Sequence, residues 1–141
     1  MGRGPGRCEG FLSRPGGGSA APRVVVVDDH PLNLELARAT LELAGMQVLG
    51  IGDGESALAA IQADPPDLVL MDVQLPQVDG LELTRRLKAD ARTAAVPVVA
   101  FTAYAMTGDE ARFRAAGCDG YIAKPIDVAC FAAQVRAYLL R

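Results

Sequence analysis

The sequence predicts an α/β protein: five strand–helix units wound into one parallel sheet, with helices on both faces. Three observations carry this. Five short apolar runs occur, at Val24–Val27, Gln47–Ile51, Leu68–Met71, Pro97–Phe101 and Tyr121–Ile122, with helical stretches between them. The first, third and fourth are rich in Val and Leu and do not alternate with polar residues, as strands covered on both faces require. Regular alternation of strand and helix then favours parallel strands joined by right-handed crossovers.

Each helix has its own signals. After the first strand, Leu32–Ala44 puts Leu34, Ala37 and Leu41 on one face and stops at Gly45, a residue suited to a helix C-terminus. Ser56–Ala63 is Ala-rich and stops before Pro65–Pro66. Asp79 stands where it would cap a third helix, Gly80–Ala89, which carries Leu81, Leu83 and Leu87. A fourth, Thr107–Ala116, opens with a capping Thr and the acidic pair Asp109–Glu110, and ends at Gly117. The last, Val128–Leu140, spaces Val128, Phe131, Val135 and Tyr138 at helical intervals.

The 141 residues have room for one core. Residues 1–22 read as a flexible tail rich in Gly, Pro and Arg, and residues 23–141 as the folded domain. The tail carries a net charge of +2 and the remainder −5, so the folded part is acidic and ill suited to grip nucleic acid. No apolar run approaches the roughly 18 residues a membrane span needs, and no secretory h-region opens the chain. Three cysteines without CxxC spacing suggest neither a disulfide framework nor a zinc site, and suit a cytoplasmic location.

The chemistry lies at strand ends. Asp28 and Asp29 follow the first strand, Asp72 the third, Thr102 the fourth and Lys124 the fifth. In open α/β sheets the binding crevice lies just beyond these carboxyl ends, so residues distant in sequence converge there. Two unit charges about 4 Å apart repel by roughly 4 kcal/mol at an effective dielectric of 20. Three acids in one pocket therefore need counter-charge. Lys124 supplies part, and a divalent cation that prefers oxygen ligands, Mg²⁺ or Mn²⁺, would supply the rest. Such a pocket suits phosphoryl transfer to a carboxylate. A single Asp at the start of a βα loop is explained by helix capping alone; five matched positions on four strand ends are not.

At these residues the chain resembles the receiver domain of two-component response regulators. The resemblance runs through V-V-V-V-D-D (Val24–Asp29), L-M-D-V-Q-L-P-Q-V-D-G (Leu70–Gly80), V-V-A-F-T-A (Val98–Ala103) and G-Y-I-A-K-P (Gly120–Pro125). The stretches around Tyr104 and Cys118 are further similar to stand-alone, DivK-like receivers and to receivers of hybrid kinases. What this implies is a flavodoxin/CheY-like doubly wound (βα)5 sheet of strand order 2-1-3-4-5. It implies a bacterial signalling module, not an enzyme in its own right, that takes a phosphoryl group on Asp72 from a sensor histidine kinase or histidine phosphotransfer protein. Mg²⁺, with Mn²⁺ able to substitute, is implied on Asp29, Asp72 and the main-chain carbonyl of Gln74, with Asp28 assisting through water. Thr102 and Lys124 are implied to bind the phosphoryl oxygens and, with Asp72, to carry the transfer. The same likeness implies that Tyr121 turns inward as Thr102 moves, that Ala103 leaves room for the donor, and that the Lys124–Pro125 bond is cis, a state of only about 5–6% of X–Pro bonds in general. Output is expected on a downstream protein, through the face of the fourth helix, fifth strand and fifth helix, with no direct contact to nucleic acid or membrane.

Other residues read more plainly. Gln74 and Tyr104 flank the acceptor. His30, the lone histidine, is expected to serve the loop or the helix start. Gly50–Gly54 lacks the last glycine of a dinucleotide loop and follows the second strand, so it reads as a turn. Cys118 reads as a packed small residue. Alternatives from other settings are a receiver cut from a hybrid histidine kinase, a flavodoxin-like carrier and a Mg²⁺-dependent phosphohydrolase. A flavin phosphate would meet Asp28–Asp29 instead of a phosphate loop, and the phosphohydrolase would need an acid where Gln74 stands.

Overall fold

Strand β1 (Arg23–Val27) sits inside a five-stranded sheet, between β2 (Gln47–Ile51) and β3 (Leu68–Asp72); β4 (Val98–Thr102) and β5 (Gly120–Ala123) follow in the order β2-β1-β3-β4-β5. A computed structural model describes residues 21–75, 78–103 and 109–139. All four strand pairs are parallel, with Val27 opposite both Ile51 and Met71, and Asp72 opposite Phe101. The doubly wound parallel sheet and its strand order are as the sequence and its resemblance implied.

Side-chain alternation along the strands divides the core in two. Val24 and Val26 face one way, with Leu68, Leu70, Val99 and Phe101, and are covered by Ala37 and Leu41 of α1 (Pro31–Leu43) and by Phe131 and Val135 of α5 (Phe131–Leu139). Val25 and Val27 face the other way, with Val69, Met71 and Val98, under Ala57 and Ile61 of α2 (Gly54–Ala63) and Leu83 and Leu87 of α3 (Gly80–Ala89). A smaller cluster joins Leu81 and Ala100 to Phe113 and Ala116 of α4 (Asp109–Ala116). Each such aliphatic side chain, fully buried, contributes about 1.5–3 kcal/mol, so covering both faces is what gives β1, β3 and β4 unbroken apolar runs at Val24–Val27, Leu68–Met71 and Val98–Phe101.

Element ends show where periodicity misleads. α5 begins at Phe131, three residues after the expected Val128. The Asp127 carbonyl accepts from the N–H groups of Cys130 and Phe131, at 2.9 and 2.8 Å, and its carboxylate accepts from Ala129 N, so the approach is a tight turn and Val128 is left exposed. α2 begins at Gly54, ahead of the expected Ser56, because Asp53 caps it by accepting from Ser56 N at 3.1 Å. β4 begins at Val98: Pro97 offers its carbonyl to Val69 N but has no N–H to give the ladder. Asp79 caps α3 through Leu81 N at 2.9 Å. The tail expected over residues 1–22 falls outside the described residues as far as position 20, as do Tyr104 and the expected capping Thr107.

Candidate functional site

The order β2-β1-β3 reverses the direction of winding at β1, and the crevice at that switch point collects the acids. Asp28 follows β1 directly, and its N–H continues the ladder to Ile51 O at 3.1 Å. Asp72 is the last residue of β3, the neighbouring strand. Thr102 ends β4, and its carbonyl accepts from Lys124 N at 2.8 Å, which fixes where the Lys124 side chain starts. Lys124 then reaches over the Phe101 ring, 4.9 Å from its centroid, back into the crevice. The Lys124–Pro125 bond is cis.

Lys124 Nζ lies 2.8 Å from Asp28 Oδ2 and 3.3 Å from Asp72 Oδ2, with 13% of its side chain exposed. Asp28 is wholly buried and fully used: Oδ2 also accepts from Asn33 Nδ2 at 3.3 Å, and Oδ1 accepts from His30 N at 2.9 Å. Asp72 is also buried, and Oδ1 accepts from Gln74 N at 2.9 Å. Burial pushes the Asp72 carboxyl above the usual carboxylate range and the Asp28 charge adds to this, while the Gln74 hydrogen bond and the Lys124 charge oppose it. Ionised Asp72 is thus held at a cost, ready to gain from positive charge.

Asp29 differs from its neighbour. Its side chain is 30% exposed, yet Oδ1 is buried and has no hydrogen-bond partner. An acceptor of that kind is seldom left without a donor or a cation. Ligand atoms of Asp28, Asp29 and His30 can be chosen within 4.8 Å of one another, so the acid pair fits a divalent ion. Gln74, whose main chain was expected to contribute, lies beside Asp72; an antiparallel bridge to Asp79 and the bond from Gly80 N to Val73 O, 3.1 Å, hold this loop against the site.

The structure therefore brings together Asp28, Asp72, Lys124 and the Gln74 backbone, and sets Asp29 and Gln74 on one cavity. Thr102 is buried at the end of β4, and Ala103 beyond it is exposed. Tyr121 belongs to a different cluster: it lies opposite Ala100, half-buried, with its ring 6.1 Å from that of Phe113. His30 was expected to serve the loop or the helix start, and it does stand at the α1 N-cap position, with its N–H donating to Asp28 Oδ1. It makes no side-chain capping bond there, and instead its Nδ1 stands 3.4 Å from Asp29 Oδ1. Two contributors escaped the sequence reading. Asn33 braces Asp28 from the first turn of α1, and Arg112 of α4 lines a cavity of about 550 Å³ together with Asp29, His30 and Gln74. An Asn five residues beyond an acid on a helix is a readable signal; a side chain arriving from α4 is not.

Comparison with known proteins agrees with this fold. Residues 24–136 match the response regulator receiver domain family. The chain is 45% identical over 116 residues to the polar-differentiation response regulator DivK of Brucella ovis, covering 82% of this chain and 94% of that protein. Among solved structures, a putative response regulator from Chloroflexus aurantiacus superposes with a TM-score of 0.80 at 30% identity, over 86% of this chain and 99% of that one. The receiver domain of the sensor histidine kinase PA1611 from Pseudomonas aeruginosa, with a magnesium ion in its active-site cleft, gives 0.74 at 32% identity, over 85% and 95%.

Proposed function

This chain belongs to the response regulator receiver domain family, and from that premise we propose that Asp72 is the phosphoacceptor of a two-component relay. The observation that carries the reading is the Lys124 ammonium, shared between Asp28 Oδ2 and Asp72 Oδ2 at 2.8 and 3.3 Å, together with an Asp29 Oδ1 that has no hydrogen-bond partner. A buried carboxylate, an ammonium shared between two acids and an acid oxygen without a hydrogen-bond donor at one end of the sheet support this reading.

In the proposed step an Asp72 carboxylate oxygen attacks the phosphorus of a phosphohistidine. The O–P bond forms as the P–N bond breaks, and the electron pair returns to the donor imidazole nitrogen, which takes up a proton. Asp29, Asp72 and the Gln74 carbonyl would hold Mg²⁺ or Mn²⁺, with Asp28 acting through water. When bound, such an ion would supply positive charge to the phosphoryl oxygens. Lys124 leaves Asp28 for the new phosphoryl group, which carries close to two negative charges. Thr102 donates its hydroxyl to another phosphoryl oxygen, and the exposed Ala103 leaves the approach open to the donor.

The donor is a sensor histidine kinase or a histidine phosphotransfer protein, in the cytoplasm. The output partner is a protein that reads α4, β5 and α5. Tyr121 lies in that face, where a groove runs between it and Gln134 and Tyr138. Rearrangement there follows Thr102 when it moves toward the phosphoryl group. Among the described residues no helix is long and apolar enough to cross a membrane.

The test is intact-protein mass after incubation with acetyl phosphate and Mg²⁺. A gain of one phosphoryl group, lost in Asp72→Asn and in EDTA, is expected. A gain that persists in Asp72→Asn would remove Asp72 from the role.

A further inference from the structure

We propose that His30 Nδ1 is a ligand of the divalent ion at the Asp28–Asp29 pair, and that the site therefore takes borderline first-row cations, the class of Zn²⁺ and Ni²⁺, more tightly than Mg²⁺. This rests on the reading of Asp29 as a cation ligand. It adds a nitrogen donor to a set otherwise made of oxygen.

Three observations carry it. The His30 backbone is pinned, because its N–H donates to Asp28 Oδ1 at 2.9 Å, while its ring makes no capping bond to α1 and is 69% exposed on the rim of the crevice. Its Nδ1 stands 3.4 Å from Asp29 Oδ1 and 3.5 Å from Asp28 Oδ1. One ligand atom from each of the three residues can be chosen so that all lie within 4.8 Å of one another.

The distances decide between two accounts. A charge-assisted N–H···O bond is about 2.7–2.9 Å long, and the ring is well beyond that from both carboxylates. Two ligand atoms each about 2.1 Å from a tetrahedral ion stand about 3.4 Å apart. The spacing suits sharing an ion better than sharing a proton, and Asp29 Oδ1 has no hydrogen-bond partner to release. Imidazole nitrogen favours Zn²⁺ and Ni²⁺, whereas Mg²⁺ keeps to carboxylate, carbonyl and water. A borderline cation seated here occupies Asp29, which the proposed phosphoryl transfer also needs, so it competes with Mg²⁺.

Because His30 is the one histidine in the chain, the test is unambiguous on untagged protein. Zn²⁺, Ni²⁺ and Mg²⁺ are titrated calorimetrically into the full chain, into His30→Ala, into His30→Gln and into Asp29→Asn. In parallel, the His30 ring nitrogens are followed by long-range ¹H–¹⁵N NMR. Losing a bracing partner outside the ligand shell already costs about 10–100-fold in metal affinity. Both His30 variants should therefore lose at least about tenfold in Zn²⁺ and Ni²⁺ affinity while Mg²⁺ affinity stays within about twofold, and Zn²⁺ should shift Nδ1 where Mg²⁺ does not. Unchanged Zn²⁺ affinity in both His30 variants, or a ring that Zn²⁺ leaves unshifted, would overturn the proposal. A chain that takes Zn²⁺ through His30 yet gains no phosphoryl group on Asp72 would uphold it and sink the phosphoacceptor reading, so the two fail separately.

Discussion

Gly80 lies so close to Asp72 that a Cβ on it would stand 2.0 Å from the Asp72 main-chain oxygen. The start of α3 is thereby pressed against the end of β3, and the loop between them, which carries Gln74, is held at the acceptor. Only a residue without a side chain permits that approach. Gly80→Ala must push β3 and α3 apart, and should cost about 1–3 kcal/mol in urea unfolding, the usual range for overpacking. Acetyl phosphate labelling should fall with it. A variant of unchanged stability and labelling would show that the loop yields freely.

Asp72 sets a pH dependence. Its folded carboxyl is raised above the ordinary value, chiefly by burial, so between the unfolded and folded values the native state binds more protons. Its contribution to stability is then full below about pH 4 and is lost as pH rises through the raised value. In EDTA, the stability advantage of Asp72→Asn over the parent should grow with pH across that window. An advantage that is flat or shrinks would contradict the sign.

Lys124 and Asp28 should depend on each other. Asp28 has no exposure and Lys124 little, and removing one partner of a buried pair costs about 3–5 kcal/mol. Lys124→Met alone should therefore be strongly destabilising without metal, and Asp28→Asn in the same chain should restore much of the loss. Additive losses in a double-mutant cycle by chemical denaturation would deny the coupling.

Cys118 should be chemically quiet. Burial is the main cause that pushes its thiol from the ordinary 9.0 up to about 11. Little thiolate exists at pH 8, so peptide mapping should find Cys118 unalkylated by iodoacetamide in native protein and modified in urea. Its contribution to stability is intact below about pH 9 and declines as pH rises toward 11. Rapid native alkylation would mean that the β5 entrance opens readily.

The existence and type of the ten elements among the described residues were legible in the chain, because period and apolar run depend only on neighbours along it. So was the placement of Asp28, Asp29, Asp72, Thr102 and Lys124 at one edge of the sheet, since each stands at or just past the end of a strand and parallel strands end together. Asp127 shows the limit: a side chain and carbonyl that spend themselves on a turn delay α5 to Phe131, although the apolar spacing begins at Val128.

Tertiary structure decided what the converging groups do to one another. Lys124 sits nearer to Asp28 than to Asp72 because the Thr102 carbonyl and the Phe101 ring set its path. Tyr121 joins Phe113 rather than the carboxylates. Adjacent in sequence, Asp28 and Asp29 differ most: one is buried with both oxygens accepting hydrogen bonds, the other keeps a buried oxygen without a hydrogen-bond partner. Local sequence specifies backbone conformation through nearest neighbours. Hydrogen-bond satisfaction and burial are set by atoms brought from other strands and helices, so only the folded chain reveals which carboxylate has capacity left for a cation.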